Sequence, residues 1–342
     1  MLTAELIAPR QFRLADHPIP DPAPGEIQVQ VGAVGICGSD MHSYLEGGVG
    51  DTPCQFPMVL GHEPAGTVIK TGPGVTGWSP GDRAALEPAV YCYHCEFCLS
   101  GRHNLCLNIR FLSTPGNPGF FRERVNLPAT NLLAIPPALA LEHASLVEPL
   151  AIALHSLQFV ELQPGDTVAV FGAGPIGLLT IAALKVAGAK RIFAVEPVPH
   201  RRDFAIHMGA DAALDPGAID APRQIQQDTG GRGVDCAVDC AAKEHTTNWC
   251  IRAVRNGGRV VITGIHSDSF VPFEVSPMRR KELAIFNVRR SNHDSERALE
   301  MLVHRVEWFA PLVTHKRPLR DIAEAFHLVE RYDDGVGKLV LG

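Results

Sequence analysis

The sequence predicts an α/β protein of two domains, a small barrel-like β domain and an open, doubly wound parallel sheet. Two observations carry this. Residues 25–130 read as short strands with frequent Gly/Pro punctuation. After about residue 155 the texture changes to continuous apolar strands alternating with helical segments, the pattern of strands buried on both faces. The 342 residues are enough for two domains of ordinary size.

In the first region, EIQVQVGAV alternates Ile27, Val29 and Val31 with polar neighbours, the period of a half-buried strand. Turn signals recur at Gly72-Pro73-Gly74, Ser79-Pro80-Gly81-Asp82 and Pro115-Gly116-Asn117-Pro118-Gly119. In the second region, TVAVFG (167–172) is an apolar strand. PIGLLTIAALKVAG (175–188) is a helix started by Pro175 and stopped by Gly188. RIFAVE (191–196) is the next strand and HRRDFAIHMG (200–209) the next helix. Further strands are expected at 212–215, 233–241 and 259–265, with LAIFNV (283–288) closing the domain. From about Asn292 the chain holds one helix, SERALEMLVH, and returns to β near Lys338-Leu339-Val340.

Composition excludes several function classes. Apolar content of 46% and charged content of 20% fit a globular protein with a large core. The net charge of −6, with no basic run, argues against nucleic acid as a partner. The N-terminal residues lack the order of an export signal, so a cytoplasmic location is expected. Eighteen uncharged residues lie between Asp166 and Lys185, long enough for a membrane span. Gly172, Gly174, Pro175 and Gly177 at its centre favour a strand-to-helix turn instead, and no membrane is expected.

Four cysteines, Cys92, Cys95, Cys98 and Cys106, have the spacing C-x2-C-x2-C-x7-C. Four thiolates suit tetrahedral Zn²⁺ and leave no open position, so the site is structural. An iron–sulfur cluster uses similar spacings. A thiol-redox pair at Cys92 and Cys95 would need exposed thiols of low pKa. Cys54, Cys236, Cys240 and Cys250 read as buried small side chains.

Gly172-x-Gly174-x-x-Gly177 follows a strand and opens a helix through Pro175 and Ile176. In that setting the first glycine makes the turn, the second admits a pyrophosphate and the third lets helix pack on strand. Glu196 ends the following strand, where a carboxylate would accept from the ribose hydroxyls and repel a 2′-phosphate. NAD is therefore expected rather than NADP, although Arg201 and Arg202 stand close by and favour NADP.

Cys37, His62 and Glu148, with Glu63 as an alternative, have the mixed S/N/O composition of a catalytic zinc that keeps one position open. Taken singly, each also reads as an ordinary buried residue.

The segments GICGSDMH, FPMVLGHEPAGTV, CYHCEFCLSGRHNLC, LVEPLAIALH and VFGAGPIG occur in that order. Together they resemble the zinc-dependent medium-chain dehydrogenases, most of all the sorbitol (polyol) dehydrogenase branch, over nearly the whole chain. The resemblance implies a GroES-like catalytic domain at 1–155 and 290–342, interrupted by a Rossmann NAD-binding domain at 156–289. It implies two zinc ions per chain. Cys37 and His62 match ligands of the catalytic ion, while Glu63 and Glu148 match carboxylates that ligate it or approach it through water. Ser39 matches the hydroxyl that takes the alcohol proton, His42 is similar to an outer relay residue, and Arg289 resembles an arginine near cofactor and substrate. Arg290, Ser43-Tyr44 and the short stretch FLSTPGNPGFF (111–121) depart from the sorbitol enzymes at positions expected to shape the substrate pocket.

The expected activity is oxidation of a secondary alcohol of a polyol or sugar acid with transfer of hydride to NAD. An L-threonine or simple alcohol dehydrogenase, an NADPH-using aldehyde reductase, and a catalytically silent nucleotide-binding protein are the alternatives. A homodimer or homotetramer is expected.

Overall fold

The structure, a computed structural model, describes residues 1–342. The chain divides into two compact units, one formed by Met1–Glu148 with Asn292–Gly342, the other by Pro149–Ser291.

The first unit is built on a seven-stranded sheet. Its backbone is the strand Glu26–Gly35, foreseen from its alternation, whose Ile27, Val29, Val31 and Val34 are buried. One edge of this strand pairs with Glu63–Thr71. The other edge is shared. Arg124–Pro128 pairs with its first half, and the C-terminal strand Lys338–Leu341 pairs with Val34 and Gly35. This sharing brings residues from positions 35, 63 and 340 side by side: Gly35 faces Glu63 on one flank and Val340 on the other. Behind the sheet lies a core that includes Leu6, Leu60, Phe120, Phe121 and Phe326. Each such side chain contributes about 1.5–3 kcal/mol when fully buried.

Tyr44 belongs to this core. It is fully buried, stacks on Phe12 at 5.7 Å and tilts against Phe326 at 5.0 Å. The sequence placed it among the pocket-shaping positions; its ring instead fills the interior, because the helix Gly38–Glu46 turns that face inward.

The second unit is a six-stranded parallel sheet. In space its strands run Ala212–Leu214, Arg191–Val195, Thr167–Phe171, Val234–Asp239, Val254–Ile262 and Ala284–Asn287. Numbered within the unit this is the order 3-2-1-4-5-6 of a doubly wound nucleotide-binding fold. The helix after the first strand is Pro175–Val186, with Gly174 as its cap and Gly188 in the left-handed region just beyond. The fifth strand begins five residues earlier than its apolar run suggested. Gly257, at φ +65°, lies inside it, where the pairing with Val234–Asp239 shifts register. A glycine there absorbs a bulge that any other residue would resist. The uncharged run 167–184 is split between a strand and a helix, and no helix is long and apolar enough to cross a membrane.

Candidate metal and dinucleotide sites

Cys37 caps the helix Gly38–Glu46 at the end of the long strand, and His62 directly precedes the strand Glu63–Thr71. Sheet pairing of Gly35 with Glu63 therefore brings Cys37, His62 and Glu63 together from two distant stretches. Their donor atoms all lie within 4.8 Å of one another. Ser39 sits among them, its Oγ 3.5 Å from Cys37 Sγ and 3.4 Å from His62 Nε2. His62 and Glu63 are buried, and Glu63 Oε1 has no hydrogen-bond partner. A buried carboxylate oxygen left bare beside a thiol and an imidazole is what a bound cation would satisfy, so the donor set fits zinc.

The cluster is held by a residue the sequence reading passed over. Asp40, 1% exposed, accepts from the Cys37 amide (3.0 Å), the Gly61 amide (3.1 Å) and Ser113 Oγ (3.2 Å), and faces His62 Nδ1 at 3.4 Å. Burial alone would raise its pKa, yet His62 and the two amides more than offset this and lower it. A carboxylate on Nδ1 fixes the imidazole with Nε2 toward the cluster. An Asp three residues into a helix, aimed back at the cap, is the signal that would have found it. Phe111, from the short loop, tilts over the His62 ring at 5.6 Å.

Glu148 opens the helix Val147–Val160. Desolvation, then the neighbouring Glu63, push its carboxyl up to about 8 despite the opposing pull of His62. His42 lies one turn along the helix from Ser39, where Nδ1 meets the Glu46 carboxylate at 3.2 Å.

Burial alone would lower the His62 pKa, but Asp40 and Cys37 outweigh it and raise it well above the ordinary value. Only neutral imidazole ligates zinc, so affinity for this ion is fully present above that raised pKa and is lost as pH falls through it. Dialysis against a chelator is expected to strip one ion per chain, together with activity, and to do so more readily the further the pH is lowered. Metal analysis with zinc add-back checks this, and simultaneous loss of both ions would contradict it.

The four lobe cysteines also converge, all Sγ atoms lying within 4.8 Å of one another. Cys92 Sγ is 3.5 Å from Cys106 Sγ and 3.9 Å from Cys98 Sγ. A tetrahedron with 2.3 Å arms has edges of about 3.8 Å, so this cage fits one zinc. The His94 amide pulls the Cys92 thiol down to about 5, and desolvation pushes Cys98 up to about 12.

In the second unit the three glycines perform separate steric duties. A Cβ on Gly172, whose φ is +93°, would fall 2.8 Å from Ala241 Cβ, and one on Gly177 would fall 1.9 Å from Gly172 O. At Gly174 a Cβ would meet only Arg201 Nη1, at 3.9 Å. That opening at the start of a twelve-residue helix is a cradle for an anion. Pro175 and Ile176 form the first turn.

Glu196, 4% exposed, departs from the expected picture. Its Oε2 accepts from the Ala173 amide at 2.7 Å and its Oε1 from the Val198 amide at 3.0 Å. The carboxylate thus braces the glycine loop, and ribose hydroxyls would share oxygens already in use. Arg202 is also committed. It donates to Glu196 O and Pro197 O and pairs with Asp215 at 3.2 Å, which leaves Arg201 as the arginine beside the loop. Arg289 follows the last strand of this unit, and Arg290 is in the left-handed region at φ +56°.

A GroES-like catalytic unit with a cysteine–histidine–glutamate cluster, together with a Rossmann sheet, defines a zinc- and nicotinamide-dependent alcohol dehydrogenase. The comparisons agree: residues 23–137 match the alcohol dehydrogenase GroES-like domain and residues 175–304 match the zinc-binding dehydrogenase family. The chain belongs to the zinc-dependent medium-chain dehydrogenases, in their polyol dehydrogenase-like branch. It is 35% identical to sorbitol dehydrogenase of Bacillus subtilis strain 168 over 316 residues, 92% of this chain and 90% of that one. The 2R,3R-butanediol dehydrogenase structure of B. subtilis covers 99% of each chain at TM-score 0.87 and 30% identity. A zinc-binding dehydrogenase of Sinorhizobium meliloti 1021 bound to NADP covers 99% of this chain and 98% of its own at TM-score 0.90 and 29% identity.

Proposed function

We propose that this enzyme oxidises a secondary alcohol of a polyol or sugar acid to the ketone, with NAD as hydride acceptor, and carries two zinc ions per chain. Met1–Glu148 with Asn292–Gly342 would be its catalytic part and Pro149–Ser291 its NAD-binding part. The observation that carries the reading is the Cys37–His62–Glu63 cluster with the Ser39 hydroxyl set among its donors. Similarity to a sorbitol and a butanediol dehydrogenase supports the substrate class. A homodimer or homotetramer in the cytoplasm completes the proposal.

Zinc bound by Cys37, His62 and Glu63, with Glu148 as neighbour or alternate ligand, supplies a Lewis acid that makes a substrate hydroxyl acidic. Ser39 Oγ would accept that proton as it passes its own hydroxyl proton outward. His42, one turn on, would be the onward acceptor. Asp40 faces Nδ1 and so turns Nε2 of His62 toward the cluster. The glycine loop, Pro175 and Ile176 hold the pyrophosphate. Glu196 faces the ribose, Arg201 the phosphates, and Arg289 the cofactor end nearest the substrate. NADH formation across polyols, sugar acids, threonine and primary alcohols tests the reading; turnover of threonine or primary alcohols alone would replace it with the simpler dehydrogenase.

Cofactor choice is tested separately. Glu196→Ser is expected to lower kcat/KM with NAD by about 10- to 100-fold, the scale of a lost charged hydrogen bond of about 1.5–3 kcal/mol. Because the carboxylate also braces the Ala173 amide, the loss should fall on KM for the cofactor. Relative use of NADP should rise, with Arg201 taking the phosphate. An unmutated enzyme that prefers NADP, the cofactor seen in the S. meliloti relative, would reverse the NAD assignment.

A further inference from the structure

We propose that Lys338 is a positioning residue that holds one oxygen of Glu63 and so limits this carboxylate to a single donor toward the metal. The inference rests on the metal-dependent reading above and concerns the same cluster.

Lys338 opens an otherwise apolar strand, with Leu339, Val340 and Leu341 all buried beside it. Its own side chain is 2% exposed. An ammonium that deep needs partners for its charge and its protons. It has two. Nζ donates to Ile36 O at 2.9 Å and forms an ion pair with Glu63 Oε2. Ile36 precedes Cys37 and Glu63 follows His62, so one cation ties together the two chain segments that carry the metal donors. Gly35 leaves room for this pair. A Cβ there would fall 2.1 Å from Glu63 Oε2 and 2.7 Å from Lys338 Cε.

The consequence lies in the other oxygen. With Oε2 in the ion pair with Lys338, Oε1 is the oxygen left to ligate. A carboxylate binding through both oxygens would take the position that an open catalytic site keeps for substrate. The lysine also offsets the carboxylate charge, so a dication bound here stays more electrophilic than it would beside an unpaired glutamate.

Cobalt is the probe, because its visible absorption is strong in four-coordinate sites and weak when ligands are added. Full-length protein carrying cobalt in this cluster and zinc in the four-cysteine cage, and Lys338→Arg loaded the same way, which keeps the cation, are expected to give the same strong spectrum. Lys338→Met should lose at least about half of that intensity. It should also hold the catalytic zinc about 10-fold more tightly in chelator competition, the lower end of what neighbours of metal ligands do. Tighter binding separates this role from general loosening of the fold, which would weaken the ion. If Lys338→Met does not fold, Lys338→Gln, which keeps a neutral donor for Ile36 O, carries the same measurements. An unchanged spectrum and affinity in the neutral variant, or a weak spectrum in the unmutated protein, overturns the proposal. A protein that shows the expected cobalt behaviour but oxidises no alcohol refutes the proposed function and leaves this inference standing.

Discussion

Cys37→Ser or His62→Ala is expected to cut alcohol oxidation to below about a thousandth of the unmutated rate, the scale of losing several kcal/mol of Lewis-acid stabilisation. Zinc content should fall from two ions per chain to one, with the melting temperature changed by only a few degrees. The separation follows from geometry. Both side chains point into one cluster, and neither contributes to the four-cysteine cage or to the apolar core behind the sheet. Initial rates, metal analysis and thermal melts on the same preparations decide it. Normal activity with one ion lost would remove the catalytic role of the cluster.

Cys95→Ser or Cys98→Ser is expected to do the opposite. The lobe around Cys92–Cys106 contains only a four-residue helix and a three-residue 3₁₀ turn, too little regular structure to fold alone. Four thiolates on one ion hold it closed. Loss of that ion should lower the melting temperature by about 10 °C or more. At about 2–4 °C per kcal/mol for domains of this size, that corresponds to about 3–5 kcal/mol. This is well inside the ∼10–16 kcal/mol that structural zinc supplies to zinc-finger peptides. Protein that remains soluble should still oxidise substrate when assayed in the cold. Full thermal stability without the metal would show the cage to be dispensable.

How much of this was legible beforehand depended on whether a feature is local. The glycine loop could be read directly because its three glycines fall within six residues between a strand and a helix. The cysteine lobe was legible for the same reason, since its spacing already limits how the loop can close. The catalytic cluster was not. Cys37 and His62 meet only through the pairing of Gly35 with Glu63, and spacing carries no trace of sheet register. Family resemblance supplied what spacing lacked. Asp40 and Lys338 escaped notice because their duties appear only when the partners are in place, although a lone lysine inside GVGKLVL was itself a sign of a buried charge seeking a carboxylate. Tyr44 was misjudged because sequence does not say which face of a short helix turns inward. Glu196 lies at the expected position, but the amides it accepts depend on loop geometry beyond any motif.

The C-terminal strand that lies against Gly35 sets a timetable for assembly. On a ribosome making about 5–20 residues per second, Lys338 emerges roughly 14–55 seconds after Glu63. Throughout that interval Cys37 and His62 have neither the last strand nor its ammonium beside them, and Pro149–Ser291 is completed before Lys338 is made. An ion at the Cys37–His62–Glu63 cluster would therefore meet its complete surroundings only after Lys338 is made, whereas all four thiols of the cysteine lobe are present once Cys106 is made.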